Sequence, residues 1–267
     1  MQKMYEGRNT GTIRGCTMGI NEIKTLLKDA DIEQLRELIP QFELDERAGV
    51  KKLVEKAKNR VADFEAEIER IYAMKEYERK YEKCRYICGI DEVGRGPFAG
   101  PVVAAAVVLP KDVDIYYLND SKKLLPNKRE QLYDEIMEKA VAVGVGYADE
   151  KCIDEINILQ ATYVAMRMAI SKLSVTPDIL LNDAVTIPDV DIPQVPIVKG
   201  DAKSVSIAAA SIVAKVTRDR FMVEMDAKYP GYDFANSKGY GSPKHIAALK
   251  EMGPCEIHRK KFIRKYI

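Results

Sequence analysis

The sequence predicts an α/β domain with a sheet covered by helices, preceded by a small all-helical region. Three observations carry that reading. Up to Tyr81 the apolar residues recur only at steps of three or four, in a segment crowded with Lys and Glu. Beyond Tyr81 the chain turns to short, continuous apolar runs such as "CRYICGID" and "PVVAAAVVLP", closed by Gly, Pro or charge as buried strands are. Such runs then alternate with longer helical patterns, as they do when helices pack on a sheet.

Residues 1–19 are polar, contain Gly and show no period, so a poorly ordered start is expected. Ile23, Leu26 and Leu27 mark one short helix; Ile32, Leu35, Leu38 and Ile39 mark a second after Asp31, which Pro40 should stop. Val50, Leu53, Val54, Ala57, Val61, Phe64, Ile68 and Ile71 form one stripe and predict a single long amphipathic helix whose mixed-sign polar face suits solvent. Residues 20–81 are thus expected to be a helical extension, and 82–267 the main domain with C-terminal helices. Within that domain Pro126 to Ala140 predicts a helix, Val143 to Tyr147 a strand and Ile156 to Leu173 a long helix. "PDILLND" and "VPIVKGD" predict two more buried strands, and "SVSIAAASIVAKVTRDRFMVEM" a helix built on small residues.

With 42 basic and 41 acidic residues among 267, the net charge of +1 gives no global field, so any nucleic-acid surface must be local. The five cysteines are odd in number and scattered, and with two histidines and no CxxC pair they exclude zinc-site spacing. A reduced, cytoplasmic protein is expected. No run approaches the ~20 apolar residues of a membrane span.

Three predicted strands finish on acids: "CGIDE" on Asp91 and Glu92, "LLND" on Asp183, and "VKGD" on Asp201. Ligands of open α/β sheets gather at the carboxyl ends of strands. Carboxylates converging there, without His or Cys, favour hard cations, Mg²⁺ or Mn²⁺. One Asp alone would more simply cap the following helix; the recurrence favours a metal site. Because alternation sends Asp91 and Glu92 to opposite faces, the strand is expected to end or bulge there.

Gly94-Arg95-Gly96 follows directly. It reads as a tight turn, as a phosphate or sugar contact through backbone amides, or as both. "NDSKKL" with Lys122 and Lys123, "KGDAKS" with Lys199 and Ser204, and "SKGYGSPKH" with Tyr240 place Lys beside Ser or Gly in loops, suited to phosphates, while Tyr240 offers a ring to a sugar or base.

"GIDEVGRGPFAGPVVAAAVVLP", "LNDSKKL", "IDEINILQAT", "VKGDAKSVSIAAASIVAKVTRD" and "SKGYGSPKH", in that order, closely resemble bacterial ribonuclease HII, the type 2 ribonuclease H, over roughly Ile87 to Phe262. The resemblance implies a ribonuclease H-like mixed sheet flanked by helices. It also implies an endoribonuclease that hydrolyses the RNA strand of RNA/DNA hybrids and cuts 5′ to single ribonucleotides in duplex DNA, a role in removing them. Asp91, Glu92, Asp183 and Asp201 take the metal-binding and catalytic positions, with two Mg²⁺ or Mn²⁺ ions in catalysis. Gly94-Arg95-Gly96 takes that of sensing the 2′-hydroxyl, and Tyr240 that of packing on the following deoxyribose. The sequence departs from many relatives at Ser237, where they have His, and at Ala184-Val185, where they have Gly-Asn. A monomer is expected, with any protein partner unidentified. The rival classes are a hybrid-binding protein without catalysis, which would lack one of the acids, and a metal-dependent phosphatase, which would need an enclosed pocket.

Overall fold

The computed structural model describes residues 18–267; the expectation for 1–19 falls almost wholly outside them. The chain divides into two compact units, one ending at Ile68 and one spanning Glu69–Ile267. In the first, α1 (Ile20–Asp29), α2 (Ile32–Phe42) and most of α3 (Ala48–Met74) bury Ile23, Leu27, Leu35, Val50, Val54 and Ala57 against one another. Asp31 caps α2, its side chain accepting from Gln34 N at 2.8 Å. Pro40 does not stop this helix as expected: α2 runs on to Phe42. So near a helix end, the lost N–H is a small fraction of the helix's bonds.

The second unit holds a five-stranded mixed sheet in the order β3-β2-β1-β4-β5. Its strands are β1 (Ile87–Val93), β2 (Val102–Val108), β3 (Ala142–Ala148), β4 (Ile179–Asp183) and β5 (Gln194–Ile197). β1–β2–β3 are antiparallel, whereas β4 and β5 run parallel to β1. One face is covered by α5 (Pro126–Lys139) and α7 (Val205–Lys228), which bury Val93, Val103, Ala105 and Val107. The other is covered by α6 (Glu150–Ser171), over Cys88, Ile90, Ala104 and Ala106. α6 starts earlier than the periodicity predicts and breaks at Asn157, whose φ is 70°. The helices α8 (Phe234–Ser237), α9 (Pro243–Met252) and α10 (Lys260–Ile263) complete the unit. Among the described residues no helix is long and apolar enough to cross a membrane.

Two expectations about the strands are corrected. β1 neither ends nor bulges at its acids: Asp91 pairs with Ala105 and Glu92 with Ala104. β2 supplies a regular ladder on that side after β4 has dropped out beyond Ile90↔Asn182. "VPIVKGD" is a short edge strand followed by a 3₁₀ turn, Gly200–Ala202, so Asp201 sits in the turn and not on a strand. Lys199 begins that turn with φ 58°.

A helical lead-in ties into the second unit from its own chain start. Ile71 and Met74 join the core under α7. In α4 (Glu76–Lys80), Glu78 accepts from Ser204 Oγ at 2.6 Å and Ser206 N at 3.0 Å, filling the N-terminus of α7. Removing residues 1–68 should therefore leave the thermal transition of the second unit in place. Removing 1–80 deletes two core side chains and a carboxylate cap, a loss of several kcal/mol that should lower Tm by about 10 °C or more. Calorimetry of the two truncations checks this.

Candidate active site

β1 carries Asp91 and Glu92 to opposite faces of the sheet by simple alternation. Asp91 shares the α7 face with Ala105 and is only 7% exposed. Its Oδ1 accepts from Glu92 N at 2.7 Å, and the Ser211 hydroxyl of α7 also bonds its carboxylate. Ser211 Oγ lies 2.9 Å from Ser121 Oγ, a hydroxyl–hydroxyl hydrogen bond that joins the "NDSKKL" loop to the same acid. α7 approaches this closely because β1 has Gly89 there: a Cβ on Gly89 would stand 2.0 Å from the carbonyl carbon of Ser206.

Asp183 ends β4, and its Oδ1 accepts from Gly200 N at 2.7 Å, which draws the Asp201 turn to the same sheet edge. Ala184 follows with φ 56°, a left-handed conformation that a glycine would adopt with less strain. Glu92 receives Arg95 Nη1 on Oε1 at 3.3 Å.

The electrostatics tie the four acids together. Burial pushes the Asp91 carboxyl well above the usual carboxylate range, and the charges of Glu92 and Asp183 add to the shift. Glu92 is raised by burial and by Asp183, against the lowering effect of Arg95 and Lys122. Asp201 is raised by burial, Asp120 and Asp183, against Lys122 and Lys123. Carboxylates held beside one another with too little positive charge fit a hard divalent cation, and the donor set is all oxygen. Among the described residues no three acids, His or Cys form a ready-made metal shell as they lie.

Of the predicted binding residues, Lys122 and Lys123 are exposed and face the acids. Lys199 is exposed on the neighbouring turn. Arg95 and Gly96 are exposed, while Gly94 is buried with φ 91°. Tyr240, 43% exposed, stands against the same loop: a Cβ on Gly96 would lie 3.6 Å from Tyr240 Cε1. Ser204 does not belong with them. It is fully buried, caps α7 by accepting from Ile207 N at 3.2 Å, and donates to Glu78.

Sequence reasoning missed the groups beneath this surface. Ser211 and Ser121 are hydroxyls in stretches read as helix and loop, with nothing in their spacing to mark the contact. Arg218 and Arg259, both 0% exposed, were signalled only by a cation inside the small-residue helix and by one in "HRKKF". Burial lowers them to about 10 and about 9.

A family model described as Ribonuclease HII matches residues 88–265, and one described as Ribonuclease HII N-terminal domain matches 19–82. A ribonuclease HII of Lachnoclostridium phytofermentans is 66% identical over 84% of this chain and 88% of its own. One of Acetivibrio thermocellus is 50% identical over 94% of this chain and 98% of its own. Among solved structures, ribonuclease H2 of Pyrococcus horikoshii superposes with TM-score 0.56 at 29% identity, covering 68% of this chain and 96% of that one. With its mixed sheet and strand-edge acids, the chain belongs to the ribonuclease HII family, metal-dependent endoribonucleases of the ribonuclease H class.

Proposed function

We propose that this enzyme hydrolyses the RNA strand of RNA/DNA hybrids and also cuts 5′ to a single ribonucleotide embedded in duplex DNA, leaving a 3′-hydroxyl and a 5′-phosphate. The observation that carries the finer reading is the exposed backbone of Gly96 beside the exposed Tyr240 ring, on a loop that directly follows β1 and its acids Asp91 and Glu92. Only the 2′-hydroxyl distinguishes one ribose among deoxyriboses, and a glycine backbone approaches it more closely than a side chain does. Rigid connection to β1 fixes the distance from that contact to the acids.

Asp91, Glu92, Asp183 and Asp201 would hold two Mg²⁺ or Mn²⁺ ions. Bound there, such ions supply an activated water and neutralise charge at the leaving oxygen. Lys122, Lys123 and Lys199, exposed beside the acids, hold substrate phosphates, and Arg95 has reach to do the same. Tyr240 packs on the deoxyribose after the ribonucleotide. The test incubates the protein with Mg²⁺ or Mn²⁺ and three substrates: a long hybrid, a duplex with one ribonucleotide, and a simple phosphate monoester. Cleavage of both duplexes, the second 5′ to its ribonucleotide, is expected, with the monoester untouched. Binding without cutting would leave a hybrid-binding protein, and monoester hydrolysis alone a phosphatase.

A further inference from the structure

The β1–β2 loop that carries Gly96 and the loop that carries Tyr240 meet at the surface, their backbones joined where Phe98 N and Ala99 N donate to Gly239 O at 2.8 and 3.3 Å. The C-terminal segment Cys255 to Arg259 packs on the first of these loops as well. Gly100 N donates to Ile257 O at 2.9 Å and Arg259 N to Phe98 O at 2.8 Å, and Ala99 forms a bridge with His258. The Arg259 guanidinium has no carboxylate partner among its hydrogen bonds. It donates to Gly94 O at 2.6 Å, to Arg95 O at 3.0 Å and to Gly100 O at 2.9 and 2.7 Å. One planar fork thus grips both ends of the glycine loop from behind, while the loop's Gly96 stays open to solvent.

The preceding residue reaches the Tyr240 loop. The carbonyl of Tyr240 accepts only, so the 2.8 Å contact puts a proton on His245 Nδ1. His245 Nε2 is then an acceptor, and His258 Nε2–H donates to it at 2.9 Å. His258 Nδ1 completes the chain by accepting from Cys255 N at 2.9 Å. Both rings are buried, His245 at 0% and His258 at 2% exposed. Arg218 reinforces the arrangement from α7, bonding Ala99 O, Pro101 O and Lys238 O at 3.0, 2.9 and 2.8 Å.

We infer that His258 and Arg259 are positioning residues that fix Gly96 and Tyr240 against one another at the ribose-reading surface, Arg259 through the carbonyls of Gly94, Arg95 and Gly100 and His258 through His245 and the carbonyl of Tyr240. This rests on the reading of the Gly94–Gly96 loop given above. Neither side chain touches substrate; they act by fixing the two walls that do. A displacement of about 1 Å in such a wall lowers a rate by about 10²-fold.

The test uses the full chain with Arg259→Lys, which keeps a charge but loses the fork, and His258→Gln, which loses the ring. Single-turnover cleavage of a duplex with one ribonucleotide is measured with enzyme in saturating excess and Mg²⁺ present, beside the Kd for an all-DNA duplex of the same sequence. With substrate saturated by folded protein, a variant that is merely less stable cuts at the wild-type rate. The expected result is a rate lowered about tenfold or more in each variant, with the all-DNA Kd within about twofold of wild type. Wild-type rates in the folded variants would overturn the inference, and so would failure of both to fold, which would make the segment a folding element. Wild-type enzyme that cuts a long hybrid but ignores the single ribonucleotide would sink the reading of the loop itself, a failure visible before either variant is made.

Discussion

Asp91→Asn should abolish metal-dependent cleavage while leaving the protein at least as stable as wild type without metal. The amide keeps an oxygen to accept from Glu92 N and removes one negative charge from a site where Glu92 and Asp183 repel it. Losing a ligand that holds ions supplying several kcal/mol of transition-state stabilisation lowers the rate by about 10³-fold or more. The stability change has a defined sign. The folded Asp91 carboxyl titrates above its unfolded value, so its favourable contribution is present below the unfolded pKa of 3.8 and is lost as pH rises through the folded one. Wild type and Asp91→Asn should therefore have similar urea midpoints at low pH, and the variant should be ahead at neutral pH. Added Mg²⁺ or Mn²⁺ should raise wild type more than the variant, since only the intact ligand set gains full binding free energy. Near wild-type turnover in Asp91→Asn at saturating Mg²⁺ would remove Asp91 from the proposed ligands. A variant less stable than wild type in chelator at neutral pH would show that the carboxylate is satisfied by its neighbours.

That pair of measurements probes the part of the site most legible in the sequence. Asp91, Glu92 and Asp183 announce themselves because an acid after a continuous apolar run violates the pattern of a buried strand. Asp183 ends β4 as that violation suggests, whereas Asp91 and Glu92 lie within β1, which runs on to Val93. The strand order was not readable, because pairing of β1 with β4 is a contact between residues far apart in sequence. Asp201 was found for a partly wrong reason: the apolar "VPIV" reads as a buried strand, yet β5 is a half-covered edge and the acid lies in the turn beyond. The extents of α2 and α6 escaped because one Pro and one positive-φ Asn outweigh local propensity in a reading of single residues, whereas in the fold each disturbs only one turn. Ser204 looked like a phosphate ligand because Ser beside Lys in a loop and Ser at a helix N-cap are the same letters. Its hydroxyl is turned inward to Glu78 and Ile207 N. The buried Arg218 and Arg259 were hidden by the habit of reading a cation as surface, although between them they donate to six backbone carbonyls.

The two glycines of the loop should respond very differently to the same methyl group. At Gly94 a Cβ would stand 2.2 Å from Arg218 Nε, 2.6 Å from its Cδ and 2.7 Å from Pro101 O, at a φ of 91° that L residues rarely adopt. Gly94→Ala must therefore strain the backbone and push aside a buried arginine, and it should cost roughly 2 to 5 kcal/mol of stability. Whatever it does to cleavage, the fold has changed, so it says nothing clean about sensing. At Gly96 the added methyl meets only Tyr240 Cε1 at 3.6 Å, an ordinary contact on an exposed surface. Stability should stay within about 0.5 kcal/mol of wild type. The methyl nevertheless covers the exposed backbone that the proposed ribose must approach beside the Tyr240 ring. Gly96→Ala should then lower cleavage at a single ribonucleotide by about 10²-fold while affinity for all-DNA duplex stays within about twofold, since phosphate contacts from Lys122, Lys123 and Lys199 are untouched. Arg95→Ala should do the reverse: affinity should fall for every duplex and the salt dependence should flatten by about one charge, with the rate on bound substrate preserved. Cleavage rates and duplex affinities across a salt series separate these outcomes. If Gly96→Ala weakens binding to ribonucleotide-containing and all-DNA duplexes alike and keeps its rate once bound, the surface of Gly96 and Tyr240 is a phosphate clamp and the 2′-hydroxyl is read elsewhere.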